Sequence, residues 1–168
     1  DAVITQFAPV DARAIAGLKK ARVIVRYGIG VDNVDLEAAR VRNIPVCNVP
    51  DYCIDEVADQ TMAFILGMTR QVVANCLNIR NGRWGLATPL TGMRSLSGAT
   101  VGIVGFGRIG REVADRLKPF KCRRLVFDPM VSDDVVRRAG CEPAALDRLL
   151  ADSDVVTLHC PSTPATRR

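Results

Sequence analysis

Short runs of apolar, often β-branched residues alternate along the chain with longer segments in which apolar residues recur every three or four positions. The first pattern predicts strands and the second predicts helices, so their alternation predicts an α/β fold with parallel sheets. Asp11 and Asp35 precede the first two helices and are expected N-caps. Strands are predicted at 2–7, 21–27, 45–49, 100–105, 123–128 and 154–159, and helices at 11–20, 35–43, 108–118, 132–139 and 144–152.

The middle of the chain departs from this alternation. From Asp55 to about Ile79, apolar residues recur at helical spacing, which predicts one long helix that could bridge two lobes. Residues 81–99 are rich in Gly, Ser, Thr and Pro and are predicted to form a loop or arm.

Composition and charge narrow the classes of function. The 168 residues are 48% hydrophobic and 24% charged, and no apolar run reaches the roughly 18 residues of a membrane span, so a membrane partner is not expected. The net charge of +5 is spread over scattered Lys and Arg residues, so we expect no nucleic-acid partner, although small anions could be attracted. The printed residues show no basic-then-apolar segment typical of a leader, so export is not expected. They include one histidine and no C-x-x-C pair among six cysteines, so we expect a cytoplasmic protein with free thiols and no metal.

The segment "TVGIVGFGRIG" carries the strongest chemical signal. It has the spacing G-x-G-x-x-G between a predicted strand and a predicted helix, with Gly105, Gly107 and Gly110 at the three glycine positions. In this arrangement the first glycine makes the tight turn, the second lets a pyrophosphate approach, and the third lets the helix pack on the strand. The N–H groups near Arg108 and Ile109 would then point at the anion.

An acidic residue at the end of the next predicted strand strengthens this interpretation. Asp128 lies 18 positions after Gly110, close to the roughly 20 that dinucleotide-binding folds show. Its carboxylate could accept hydrogen bonds from both ribose hydroxyls and would repel a 2′-phosphate, which favours NAD over NADP. The alternative is that the glycines only form a tight turn and that Asp128 caps the segment that follows.

A second glycine-containing stretch, "RYGIGVDNVD", follows another predicted strand and precedes a helix. Open backbone at a strand end could offer N–H groups to an anion. The stretch could equally be a loop in which Asp32 and Asn33 make local turns. The residue pattern alone leaves both possibilities open.

Four segments together carry a resemblance to a known family: "RYGIGVDNVD", "PVCNVPDYCIDEVADQTMAFIL", "LSGATVGIVGFGRIG" and "DVVTLHCPSTPATR". In order and spacing they resemble the D-isomer-specific 2-hydroxyacid dehydrogenases, most closely the phosphoglycerate dehydrogenase and C-terminal-binding-protein-like branch. The resemblance implies an incomplete Rossmann-type doubly wound sheet and part of a flavodoxin-like α/β substrate lobe, with a cleft between the lobes. Residues 1–54 would belong to the substrate lobe, 55–99 to a crossover helix and arm, and 100–168 to the first half of the NAD-binding domain.

The resemblance also implies site residues. The amides of Ile29 and Gly30 would bind the substrate carboxylate, Arg26 and Gly28 would shape their loop, and Ile29 would reach the nicotinamide. The pyrophosphate would lie on the turn Gly105–Gly110 and the adenine ribose on Asp128. The adenine side would be lined by Cys160, Pro161 and Thr166.

The implied activity is NAD-dependent oxidation of the CH–OH group of a small D-2-hydroxy acid, or reduction of the 2-oxo acid, with phosphoglycerate, glycerate or glyoxylate/hydroxypyruvate as examples. The alternatives are an NAD(H)-sensing, corepressor-like binding protein and a catalytically incomplete fragment. The family's catalytic Arg, Glu and His come later in the sequence, so we expect them beyond Arg168 and assign no catalytic residue. The lone His159 is expected to be structural.

Two further expectations concern surfaces. The resemblance implies a homodimer formed through the arm around 75–97, with Trp84 in the interface, although Trp84 could also pack locally. In addition, only three strands of the cofactor sheet are predicted. The strand at 100–105 would then have an unpaired apolar edge, which predicts poor solubility of the isolated chain.

Overall fold

The computed structural model describes residues 1–163 and Thr166. The chain divides into two units, Asp1–Cys53 and Ile54–Arg168. Both units are built from parallel strands joined by helices, so the predicted α/β class is confirmed.

The first unit has a three-stranded parallel sheet whose strands lie side by side in chain order. Asp11 and Asp35 cap its two helices, because their Oδ1 atoms accept hydrogen bonds from the amides of Ala14 and Ala38 at 2.8 and 2.9 Å. The elements are β1 (Ala2–Thr5), α1 (Ala12–Gly17), β2 (Val23–Arg26), α2 (Leu36–Val41) and β3 (Val46–Cys47). Their apolar faces enclose one small core that includes Ile15 and Ile24.

The second unit contains a four-stranded parallel sheet. It begins with two helices, α3 (Ile54–Thr69) and α4 (Val72–Arg80), and then two short 3₁₀ turns, Leu90–Gly92 and Leu96–Gly98. The sheet and its helices follow as β4 (Thr100–Val104), α5 (Arg108–Leu117), β5 (Arg123–Phe127), α6 (Asp133–Arg138), β6 (Glu142–Pro143), α7 (Leu146–Asp152) and β7 (Val155–Leu158). The strand order in the sheet is β6-β5-β4-β7.

Helix α3 packs against α5 in the core of this unit. Ala58, Met62 and Ile65 on α3 are buried in the same apolar cluster as the inner face of α5. At the rim of the contact, Arg116 on α5 forms ion pairs with Asp55 and Asp59 at 2.8 and 2.7 Å. The start of α3 is therefore held beside the helix that follows the glycine turn.

The prediction of one long helix from Asp55 to Ile79 is wrong. The helix ends at Thr69 because Gln71 adopts a left-handed conformation, with φ of 54°. The backbone amide and Nε2 of Gln71 both donate to the carbonyl of Met68, at 3.1 Å each, which satisfies the end of the helix. Apolar spacing continues across the break, so periodicity alone gives no sign of it.

The prediction that the strand at 100–105 has an unpaired edge is also wrong. This strand, β4, pairs with β5 on one side and β7 on the other. The error arose because β6, only two residues long and ending in Pro143, gives no strand signal. The order is that of the first four strands of a doubly wound dinucleotide-binding sheet, and β7 is the sheet edge next to β4.

None of the helices in the described part of the chain is by itself long and apolar enough to cross a membrane. Only α3 and α4 taken together reach that length and composition, and they are bent by 63° relative to each other.

Candidate functional site

The turn between β4 and α5 requires glycine at two positions. Gly105 has a φ of +94°, and a Cβ added there would lie 2.7 Å from the backbone nitrogen of Cys160 and the carbonyl carbon of His159. A Cβ on Gly110 would lie 2.1 Å from the carbonyl oxygen of Gly105. These neighbours are backbone atoms, which cannot rotate away. The first glycine therefore permits the turn, and the third lets α5 pack directly on the end of β4.

The space around the middle glycine is open. Gly107 is the N-cap of α5, no side chain caps the helix, and an added Cβ would meet nothing within 4 Å. The first amides of a helix, here including that of Ile109, have no acceptor within the helix and carry the positive end of its dipole. The side chain of Ile109 packs against the core, and that of Arg108 is exposed. The backbone here can accept an anion of pyrophosphate size at close range.

Asp128 lies against this turn. Its Oδ2 accepts a hydrogen bond from the amide of Phe106 at 2.6 Å, and its Oδ1 accepts one from the amide of Met130 at 2.8 Å. Each carboxylate oxygen can accept a second hydrogen bond. The residue is only half-buried and lines an open hollow of about 280 Å³ at the ends of β5 and β6. The carboxylate therefore caps the segment after β5 and can also receive hydroxyl donors.

The segment after β7 borders the turn on its other side. Cys160 is half-buried, with its backbone packed against Gly105. The hydroxyl of Thr166 donates to the carbonyl of Pro161 at 2.7 Å and accepts from the amide of Thr163 at 2.7 Å, so it stabilises the local turn. Gly105, Gly107, Gly110, Asp128 and Cys160 thus cluster around the start of α5.

His159 directly follows β7 and is hydrogen-bonded through its backbone and its side chain. Its amide donates to the carbonyl of Val104 at 2.7 Å, and its Nε2 lies 3.0 Å from Oγ1 of Thr157. Burial lowers the pKa of its imidazole below the ordinary value of 6.5. The imidazole is thus half-buried and hydrogen-bonded, and its burial favours the neutral form.

In the first unit, Arg26 ends β2, and the loop that follows carries Gly28, Ile29 and Gly30. Within the described residues, Nε of Arg26 is buried without a hydrogen-bond partner, and the amides of Ile29 and Gly30 donate no hydrogen bond. The guanidinium occupies the space beside Gly28 where a Cβ would stand, with its Nη1 within 1.2 Å of that position. The two amides of the loop are therefore unused donors, as expected of a site for a small anion.

Asn48 and Val49, which follow β3, hold two carbonyls of this loop in place. Nδ2 of Asn48 donates to the carbonyl of Ile29 at 2.7 Å, and the amide of Val49 donates to the carbonyl of Gly28 at 3.0 Å. No pattern in the sequence indicated a role for Asn48. It lies inside the strand predicted at 45–49, within "CNVP", so nothing marked it as a residue that contacts a loop.

The sequence analysis also missed an aromatic pair beside this loop. The rings of Tyr27 and Tyr52 are stacked, with centroids 6.4 Å apart and planes inclined by 16°. The pKa of Tyr52 is raised above its ordinary value, mainly by a hydrogen bond with Cys53. The two tyrosines are 25 positions apart in sequence, so no local pattern could pair them.

Comparisons with known proteins identify the family of the chain. The family described as D-isomer specific 2-hydroxyacid dehydrogenase, NAD binding domain, matches residues 62–168, more than half of the chain. The chain is 37% identical over 167 residues to a D-3-phosphoglycerate dehydrogenase of Mycobacterium tuberculosis, covering 99% of the chain and 31% of that protein. It is 37% identical over 160 residues to a glyoxylate reductase of Korarchaeum cryptofilum, covering 94% of the chain and 48% of that protein.

Solved structures lead to the same family. A D-lactate dehydrogenase from Aquifex aeolicus, complexed with NAD and lactic acid, matches with a TM-score of 0.90 at 26% identity, over 98% of this chain and 49% of that one. A glyoxylate reductase from Paecilomyes thermophila matches with a TM-score of 0.87 at 30% identity, over 99% and 52%. The chain spans about half the length of these proteins or less. The predicted Rossmann-type fold and NAD cofactor are confirmed, and the chain belongs to the D-isomer specific 2-hydroxyacid dehydrogenases and contains their NAD-binding domain.

Proposed function

We propose that this chain is the cofactor-binding part, together with a carboxylate-binding loop, of an NAD-dependent oxidoreductase for small D-2-hydroxy or 2-oxo acids. Phosphoglycerate, glycerate and glyoxylate/hydroxypyruvate are the candidate substrates. The observation that carries the proposal is the glycine turn, with open space at Gly107 and the carboxylate of Asp128 beside it. The bound cofactor supplies the hydride-transfer chemistry, and the protein orients the reactants.

In this proposal the turn binds the pyrophosphate through Gly105, Gly107, Arg108, Ile109 and Gly110. Support comes from the uncapped start of α5, where backbone amides and the helix dipole favour an anion. Close contact with the backbone requires that no side chain stand in the way, and Gly107 meets this requirement.

Asp128 would receive the hydroxyls of the adenine ribose, with Cys160, Pro161 and Thr166 on the adenine side. Asp128 already accepts two backbone hydrogen bonds, so its carboxylate is held in one orientation before the cofactor arrives. A fixed negative charge at this point favours two hydroxyls over a 2′-phosphate, so we propose a preference for NAD over NADP. Thr166 would contribute through its turn, since its hydroxyl is engaged within it.

The loop of the first unit would bind the substrate. The unused amides of Ile29 and Gly30 would donate to the carboxylate, and Ile29 would also reach the nicotinamide. Arg26 and Gly28 would shape the loop. The proposal assigns none of these residues to proton transfer. The division into a substrate lobe (1–54), a crossover helix and arm (55–99) and a cofactor domain (100–168) belongs to the same proposal.

We further propose that the chain forms a homodimer through the outer faces of α3, α4 and the arm. An open, largely apolar groove of about 830 Å³ runs between the two helices, and Phe64 and Val73 at its rim are 61% and 69% exposed. Trp84 in the arm is 95% exposed, which is costly for an indole unless a partner covers it. A cytoplasmic location is proposed because all six cysteines are free thiols.

Light scattering coupled to size exclusion tests the dimer. Phe64→Glu should yield monomers, whereas the matched control Val41→Glu, which alters an equally exposed apolar residue in the first unit, should not. A monomeric parent protein, or dissociation by both variants, would contradict this interface.

The experiment that tests the proposed activity has two parts. Titration with NADH and NADPH, followed by cofactor fluorescence, should give saturable binding with tighter binding of NADH. The second part uses the full-length protein, because the family's catalytic Arg, Glu and His are expected beyond Arg168. In that protein, glyoxylate and hydroxypyruvate should cause oxidation of NADH, followed by its absorbance. Tight NADH binding without turnover would refute the oxidoreductase, and absence of NADH binding would refute the cofactor site.

A further inference from the structure

The segment directly after β3 holds the substrate loop in a defined orientation. Strands β2 and β3 are parallel neighbours, with Val25 opposite Cys47, so the residues that follow them emerge at the same edge of the sheet. There the side chain of Asn48 reaches the carbonyl of Ile29 at 2.7 Å. Within this unit, the loop is thus tied to the end of β3 by a side chain that the proposed site does not include.

Because the peptide group is planar, the contacts that hold the carbonyls of Gly28 and Ile29 also orient the amides of the residues that follow them. In a trans peptide, the C=O of one residue and the N–H of the next point in opposite directions. The described part of the chain has only trans peptides. Because Asn48 holds the carbonyl of Ile29, the amide of Gly30 points away from β3; because Val49 holds the carbonyl of Gly28, the amide of Ile29 does so as well.

We propose that Asn48 is a positioning residue for the substrate carboxylate: its amide fixes the peptide plane that presents the N–H of Gly30, next to the N–H of Ile29. The inference rests on the proposed function, in which these two amides bind that carboxylate. Neither amide donates elsewhere in the described residues, so both are available. Asn48 acts through the peptide and does not itself touch the substrate.

Asparagine suits this task because its side-chain NH₂ donates whereas an aspartate in the same place would only accept. Asn48→Asp would set a carboxylate against the Ile29 carbonyl oxygen and turn attraction into repulsion. Asn48→Ala would leave the peptide free to rotate. Asn48→Gln keeps the donor on a longer stem and serves as the conservative variant.

Oxalate is a suitable probe, because it presents a carboxylate beside a second carboxyl group and needs no turnover. In two-dimensional ¹⁵N–¹H spectra, oxalate should shift the amide signals of Ile29 and Gly30 in the parent protein. We expect Asn48→Ala to weaken oxalate binding about tenfold, because one oriented hydrogen bond is lost. Asn48→Asp should weaken it more, because repulsion replaces that hydrogen bond. Asn48→Gln should recover most of the loss, and the Kd of NADH should stay the same in all three.

The matched control is Asn33→Ala. Nδ2 of Asn33 donates to the backbone carbonyls of Ala8 and Gln6 at 3.0 and 3.3 Å, so this variant deletes the same kind of contact further along the same loop, at a point that does not hold the carbonyl of Gly28 or Ile29. It should leave the affinity for oxalate within about twofold of the parent value, as expected for a contact that does not orient the site. Thermal melts establish that each variant is folded.

Three outcomes would overturn the inference. If Asn48→Ala binds oxalate like the parent, the side chain does not position the loop. If Ala and Gln variants lose affinity equally, or Asn33→Ala loses as much, the effect is not that of the Asn48 donor. If oxalate leaves the Ile29 and Gly30 signals of the parent unchanged, the loop does not bind carboxylates; NADH binding by the same sample then decides separately whether the proposed cofactor site stands.

Discussion

Replacement of Asp128 separates its structural role from its proposed role in cofactor selection. Its carboxylate accepts hydrogen bonds from the amides of Phe106 and Met130 at 2.6 and 2.8 Å. Asp128→Ala leaves the partly buried amide of Phe106 without an acceptor, which costs about 1–3 kcal/mol. For a chain of this size, such a loss lowers Tm by about 2–12 °C.

Asp128→Ala should also weaken cofactor binding, because the ribose hydroxyls lose their proposed acceptor. Two ribose hydroxyls that donate to a carboxylate contribute about 1.5–3 kcal/mol each at most. Because water can replace part of these two hydrogen bonds in the variant, we expect a loss of about 10–100-fold in NADH affinity. NADPH should lose less or gain, because its 2′-phosphate no longer meets a negative charge. The ratio of the NADPH Kd to the NADH Kd should therefore fall at least about tenfold.

The assay is fluorescence titration of both cofactors against the parent protein, Asp128→Ala and Asp128→Asn, with thermal melts of each. Asp128→Asn keeps the shape of the side chain and guards against a variant that fails to fold. Asp134→Ala is the matched control, because it removes an exposed acid from the nearby start of α6 that does not contact the turn. Equal losses for NADH and NADPH, or the same change in ratio with Asp134→Ala, would refute the assignment of Asp128 to the ribose.

Three further predictions concern the fold around the site. Gly110→Ala should destabilise the protein by about 1–3 kcal/mol or more, because the new Cβ would stand 2.1 Å from a backbone oxygen. Gly67→Ala is in a helix with open space at its Cβ and should instead stabilise the protein by about 0.5–1 kcal/mol. Calorimetry measures the free energy of unfolding of both variants. Burial lowers the pKa of His159, which NMR titration should find below 6.5. Because the unfolded chain then binds the proton more readily than the folded chain, stability should fall as pH drops through about 6.5, and His159→Gln should flatten that fall. A pKa of His159 at or above 6.5 would contradict this prediction. Burial raises the pKa of the Cys122 and Cys141 thiols, so these two should react last with iodoacetamide among the six, as mass spectrometry of partly labelled protein can show; early labelling of either would contradict their burial.

The sequence predicted most of the fold because strand and helix patterns are local. The caps at Asp11 and Asp35 and the strand–turn–helix at Gly105–Gly110 follow from residue types at fixed offsets. Two features escaped this reasoning. The break at Gln71 depends on one residue in a left-handed conformation inside a continuous apolar pattern, and β6 is too short to alternate.

The missed strand had a consequence for topology. Without β6, the strand at 154–159 counted as the third, and β4 appeared to lack a neighbour. In the structure β7 occupies that place, so one short element changed the order of the whole sheet. Topology depends on the number of strands, and a two-residue strand has almost no sequence signal.

The candidate site shows the same division between local and distant information. The glycine turn and Asp128 could be predicted because their spacing is a known pattern. The hydrogen bond from Asn48 to Ile29 joins residues 19 positions apart and becomes visible only when β2 and β3 lie side by side. The direct contact of Asp128 with the amide of Phe106, 22 positions away, has the same origin.

The central claim, that the turn Gly105–Gly110 receives the cofactor pyrophosphate, is tested most directly by Gly107→Val. This residue has an extended backbone with a φ of −72° and nothing within 4 Å of an added Cβ, so the fold should tolerate the change, with Tm within about 4 °C of the parent value. The control is Gly98→Val, which also has open space at its Cβ but lies outside the turn. The claim predicts that Gly107→Val raises the Kd of NADH at least about tenfold while Gly98→Val leaves it unchanged; an unchanged Kd in a folded Gly107→Val protein would contradict it.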